Sequence, residues 1–169
     1  MVSVSQIISC EVICLKAHTM TLTAMMSALI FIATFVPKIP IPLGYAHLGD
    51  AAIFLTVILC GRKIGILSGV IGSASADLLS GFPVWILPTI LIKSVMVEIF
   101  FRLRNKNILL ALVVASFFMT LGYTFAGGIL YDSLSAGVAS TPGLLLKSAI
   151  NIFITIVVSV TMKAKGIKI

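Results

Sequence analysis

His47, Asp50, Asp77, Lys93 and Lys147 stand in or beside long apolar runs, and these side chains can move protons or hold a polar ligand. Asn151 follows Lys147 by one helical turn, and Tyr123, Gly127 and Tyr131 recur at i, i+4, i+8, the spacing of one helix face. An Asp/His/Lys cluster could serve acid–base chemistry. It could equally bind a ligand, or Asp50 and Asp77 could pair with Lys93 and Lys147 as structural ion bridges. Asp50 also suits the N-terminal cap of its helix, and His47 a loop at headgroup level. Tyr131 and Trp85 fit an aromatic belt as well as a binding site, with Trp85 also placed to act as a lid. Glu98 stands four residues before Arg102, the spacing of a structural ion pair on a helix. No Walker A sequence, HExxH, GxSxG or metal-ligating His/Cys cluster is present, so no metal site is expected. Cys10, Cys14 and Cys60 read as small apolar side chains in or near a membrane.

The composition says what must position these residues. Of 169 residues, 60% are hydrophobic and only 10% charged, with mean hydropathy +1.22. A soluble domain carries about 25% charged residues because its surface faces water; this chain's solvent is lipid. The net charge of +7 lies in short clusters between apolar runs, with no aromatic-interleaved basic patch, so nucleic acid is not an expected partner. No basic stretch precedes a cleavable small-residue site, and no signal peptide is read.

Proline, glycine and charge divide the chain into six predicted helices, at 19–36, 47–61, 64–80, 88–104, 107–131 and 141–163. A crossing needs about 20 residues, so the second run must borrow length from its flanks. Pro37, Pro40 and Pro42 forbid helix in "PKIPIPLGYA". Pro88 and Pro142 suit the first turns of the fourth and sixth helices, and the apolar "GFPVWIL" is expected to dip back over the protein. One set of connections holds Lys16, Arg62, Lys63, Arg102, Arg104, Lys106, Lys163, Lys165 and Lys168, and the opposite set only Lys38. By the positive-inside rule both termini are cytoplasmic.

The expectation is therefore an all-α integral membrane protein with six transmembrane helices. Residues 1–18 form an N-terminal cytoplasmic segment, 19–163 the membrane domain and 164–169 a cytoplasmic tail. A charge in mid-helix costs about 2.5–3.5 kcal/mol, and in this topology nearly all the costly groups fall at one depth, near the outer face. That is the shape of a pocket opening outward. Gly65, Gly69 and Ser73 recur every four residues, as do Ala24 and Ala28, and small residues at that spacing let helices approach closely in lipid.

"GYAHLGDAAIFL", "GRKIGILSGVIGSASADLLSGFPVW" and "PTILIKS" resemble the substrate-binding S components of energy-coupling factor (ECF) vitamin transporters. The resemblance covers about residues 20–163, and residues 1–18 lie outside it. It implies a multi-pass subunit of the bacterial cytoplasmic membrane that captures a vitamin from outside and is not an enzyme. Its partners would be a transmembrane scaffold subunit and two ATPases that hydrolyse ATP, with no cofactor in this chain. It also implies that Ala24 and Ala28 contact the scaffold and that the "PKIPIPLGYAH" loop covers the ligand. Lys93, Tyr123, Lys147 and Asn151 would contribute binding groups, alongside His47, Asp50, Asp77 and Trp85 from the residue reading. The subfamily resembles proteins for riboflavin, hydroxymethylpyrimidine (a thiamine precursor) or pyridoxine. Carboxylates and lysines with few aromatics favour hydroxymethylpyrimidine, then pyridoxine. From another class, an enzyme acting on a lipid head group fits the Asp/His/Lys cluster, but without a catalytic motif.

Overall fold

The computed structural model describes residues 4–41 and 44–166, excepting the side chains of residues 4–15, 39, 41, 44, 45 and 136. It is helical apart from one short hairpin. Among the described residues, five helices are long and apolar enough to cross a membrane. The protein is a multi-pass membrane protein.

Helix α1 runs Val4–Phe35. It starts well before the expected residue 19, because "VSQIISCEVICL" contains neither proline nor glycine and nothing interrupts it. Much of the segment assigned to 1–18 is thus continuous with the first span. The side chains of Cys10 and Cys14 lie outside the described residues, as does Lys168. Pro37 disfavours helix at the residue before it, and the helix stops. The proline-rich loop forms antiparallel β1 (Ile39–Ile41) and β2 (Gly44–Ala46), with Ile39 opposite Ala46.

Helix α2 spans Gly49–Leu79 across the expected gap between the second and third runs, but Gly61 inside it has φ 82 and ψ −178. Two residues eight positions apart in a straight helix are separated by about 12 Å. Here a Cβ on Gly65 would lie 3.4 Å from the Val57 Cα, and one on Gly69 would lie 3.4 Å from Ile53. These pairings are symmetrical about Gly61, so α2 folds back there into two packed arms. The glycines let the arms touch. At the turn the Arg104 guanidinium donates to the Val57 carbonyl at 2.8 Å, capping the first arm.

A single 3-10 turn, Pro83–Trp85, leads into α3, Ile86–Leu103, with Pro88 in its first turn. Trp85 is buried, as the dipping loop predicts. Helix α4 is Ile108–Leu130, capped by Asn107, whose side chain accepts from the Leu109 and Leu110 N–H groups. Helix α5, Leu134–Ala164, carries Pro142 inside it. The expected start at 141 is corrected. Packing on α4 holds the earlier turns: the Thr124 and Thr141 hydroxyls meet at 3.0 Å, and a Cβ on Gly137 would strike α4 backbone.

The core is Ile30, Ile53, Phe54, Val57, Met96, Val97, Phe100, Leu112 and Met119. Phe54 and Phe100 rings pack with centroids 4.8 Å apart. At the Gly61 end, Glu98 lies between Arg102, at 2.6 Å, and Arg62, at 2.5 Å. The ionisable residues of the site lie away from that turn: Asp50 opens α2, Asp77 stands near its far end, and Lys93 and Lys147 stand mid-helix on α3 and α5.

Candidate functional site

The first arm of α2 opens with Gly49 and Asp50 buried. The expected capping role for Asp50 is not what its side chain does: Leu48 is the cap position and gives no side-chain bond. Asp50 instead forms ion pairs with Lys93 of α3 and Lys147 of α5, the latter at 3.0 Å. The cap comes from α5, where Asn151 Oδ1 accepts the Ala51 N–H at 2.8 Å. Asn151 Nδ2 donates to the His47 and Lys147 carbonyls, at 2.9 and 2.8 Å. Asp50, Lys93, Lys147 and Asn151 are 1–3% exposed. Burial makes each charge depend on its partner.

His47 Nδ1 accepts the Gly49 N–H at 3.0 Å. Nε2 lies 3.1 Å from Lys147 Nζ, and because a neutral ring has one acceptor nitrogen, the Gly49 N–H and the Lys147 ammonium compete for it. Burial, and next the Lys147 ammonium, hold the imidazole well below its ordinary pKa. The ring stays neutral. Gly49 is required by close approach, since a Cβ there would strike Thr34 Oγ1 and come within 2.9 Å of His47 Nδ1. Thr34 is buried, and its hydroxyl has no hydrogen-bond partner among the described residues.

Tyr123 of α4 joins this cluster to an aromatic one. Lys93 and Lys147 Nζ lie 5.4 and 5.6 Å from its ring centroid, within cation–π range. Trp85 packs 5.8 Å from Tyr123 and 6.2 Å from Tyr131, and its indole donates to the Tyr131 hydroxyl at 3.3 Å. The Tyr123 hydroxyl donates to Thr89 Oγ1 at 3.2 Å, and Thr89 donates to Asp77 Oδ2 at 2.5 Å.

All eight residues named from the sequence as binding candidates thus fall in one connected assembly: His47, Asp50, Asp77, Trp85, Lys93, Tyr123, Lys147 and Asn151. Asp50 takes both lysines, and Asp77 is bonded to Thr89. The sequence reading missed Thr89 and Thr34. Thr89 had a usable signal, standing one turn before Lys93 on the same face. Thr34 had none, because its place depends on how α1 packs on Gly49. Ala24 and Ala28 lie apart from this site, exposed on α1.

The assembly offers a buried carboxylate between two ammonium groups, a neutral imidazole and a facing aromatic trio. Such a site can recognise a polar heteroaromatic ring by stacking, cation–π contact and hydrogen bonds.

A protein from Pyrococcus woesei, described as "Uncharacterized protein in gap 3'region", is 36% identical over 107 residues, 59% of this chain and 72% of that one. The solved "Structure and mechanism of the S component of a bacterial ECF transporter" superposes with a TM-score of 0.74 at 19% identity, covering 90% of this chain and 99% of that one. At that identity the match speaks for the fold. The family model "ECF-type riboflavin transporter, S component" matches residues 14–165. The chain therefore belongs to the ECF-type riboflavin transporter S component family, whose members are transporter subunits and not enzymes.

Proposed function

We propose that this protein is the membrane-embedded capture subunit of an ECF-type importer, binding one small water-soluble heteroaromatic vitamin from outside. The observation that carries the reading is the joining, through Tyr123, of the Asp50–Lys93–Lys147 cluster to the Trp85–Tyr131 pair. A buried charge in a membrane helix is costly and marks a functional site by default. The Thr34 hydroxyl adds a buried hydrogen-bonding group without a partner among the described residues.

Riboflavin is the first ligand to test. The family description names it, and Trp85 packs against both Tyr123 and Tyr131, which the sequence placed on one helix face. Hydroxymethylpyrimidine is the second, favoured by the density of charged and amide groups around Asp50. Titration of the purified protein with each vitamin, with native mass spectrometry to identify what co-purifies, tests both. Saturable one-to-one binding of either supports the reading; binding of neither, with the protein folded, rejects it.

The proposed topology has six crossings, the two arms of α2 counting separately, with both termini cytoplasmic in a cell membrane. The fold-back at Gly61 and the gathering of Arg62, Arg102 and Arg104 near it support this. Thiol labelling from outside should reach a cysteine placed at Gly44 and not one at Lys106. In the same reading a scaffold subunit docks on Ala24 and Ala28, and two ATPases hydrolyse the ATP, with no cofactor in this chain.

A further inference from the structure

A groove of about 800 Å³ runs between α1 and the second arm of α2, away from the vitamin site. Its volume lies in the range of ligand-binding clefts. Lys16 and Lys63 line it, and among the described residues no carboxylate does. Met20, Ala24, Leu67 and Ile71 supply apolar wall. The hydroxyls of Thr23 and Ser27 are already spent on the carbonyls four residues back, at 2.8 and 2.7 Å, so they add little polarity to the groove. The groove is thus greasy along its length, with two cations among its walls.

Its dimensions point to an occupant. From Lys16 to Ser27 the α1 backbone rises about 16 Å, close to the ~15 Å depth of one leaflet of the hydrocarbon core. Lys63 follows the Gly61 turn by two residues, so both cations belong to the basic end of the bundle. We propose that the groove seats one anionic phospholipid, its phosphate between Lys16 and Lys63 and an acyl chain along Met20, Ala24, Leu67 and Ile71. The inference rests on the membrane-spanning reading but not on the identity of the vitamin. Because Ala24 is also assigned to scaffold docking, this lipid belongs to the free subunit and leaves on assembly.

The test uses the full chain in detergent and native mass spectrometry, titrated with palmitoyl-oleoyl phosphatidylglycerol or with phosphatidylcholine bearing the same chains. The parent should retain one phosphatidylglycerol in preference to phosphatidylcholine. Lys16→Ala with Lys63→Ala should weaken that retention at least tenfold, and Lys16→Arg with Lys63→Arg should restore it. Lys106→Ala, at the basic end but not lining the groove, should change nothing. Equal retention of both lipids, a double alanine variant that holds phosphatidylglycerol like the parent, or a dimer of the chain in place of the lipid would each overturn the proposal. Vitamin titration on the same samples separates the two readings: lost lipid preference with intact vitamin binding rejects only the lipid site, and the converse rejects only the capture function.

Discussion

Asn151 on α5 caps the N-terminus of α2 from 100 residues away, its Oδ1 accepting the Ala51 N–H at 2.8 Å. Its amide protons are spent on the His47 and Lys147 carbonyls. One side chain therefore fixes the position of Asp50, His47 and Lys147 together, and the site depends on it for shape more than for direct contact with a ligand.

Asn151→Ala should lower thermal stability. Loss of a helix cap costs about 0.5–2 kcal/mol, and two buried carbonyls lose a donor besides. The melting temperature, measured without ligand, should fall clearly below that of the parent. A variant that melts like the parent while binding vitamin more weakly would make Asn151 a ligand contact instead.

Asp50→Asn leaves the Lys93 and Lys147 ammonium groups buried without their carboxylate, and breaking a buried ion pair by removing one partner costs about 3–5 kcal/mol. The double variant Lys93→Met with Asp50→Asn should recover part of that stability, because one of the two orphaned ammonium groups is gone. Vitamin affinity should stay about tenfold to a hundredfold weaker in both, the loss of one charge-assisted bond of ~1.5–3 kcal/mol. Parent-like affinity in a well-folded double variant would reduce the cluster to a structural ion network.

The pH dependence follows from His47. Its folded pKa lies well below the ordinary 6.5, so the unfolded chain binds the proton first as pH falls. The contribution of neutral His47 is fully present above about pH 6.5 and is lost progressively on acidification below it. Melting temperature should drop between pH 7 and pH 5, and His47→Asn should flatten that slope. An equal slope in the variant would assign the acid sensitivity elsewhere.

Much of this site was legible in the sequence because lipid makes polar residues expensive. Asp50, Lys93 and Lys147 stood out in apolar runs, and the depth implied by the topology put them together. Partners were harder to read. That Asp50 holds both lysines while Asp77 turns to Thr89 depends on helix rotation, which periodicity fixes only loosely. The hairpin at Gly61 was signalled by "GRK" and by the glycines at 65 and 69. The length of α1 and the start of α5 were not. Tertiary packing between Gly137 and α4 keeps helix where Pro142 argues for its beginning.

Ala24→Leu and Ala28→Leu should leave vitamin affinity unchanged, since both side chains are exposed on α1 and outside the site. Co-purification of the scaffold subunit should weaken, because close helix contact in lipid depends on small side chains. Undiminished co-purification by both variants would move the interface to another face.

Vitamin uptake in proteoliposomes distinguishes capture from transport by this chain alone. With only this protein in the membrane, radiolabelled vitamin should bind one-to-one at the outer face without ATP and should not accumulate inside. Accumulation should begin when scaffold and ATPase subunits are added with internal ATP. Accumulation by the isolated chain would rule out a capture-only role and make the protein a transporter in its own right.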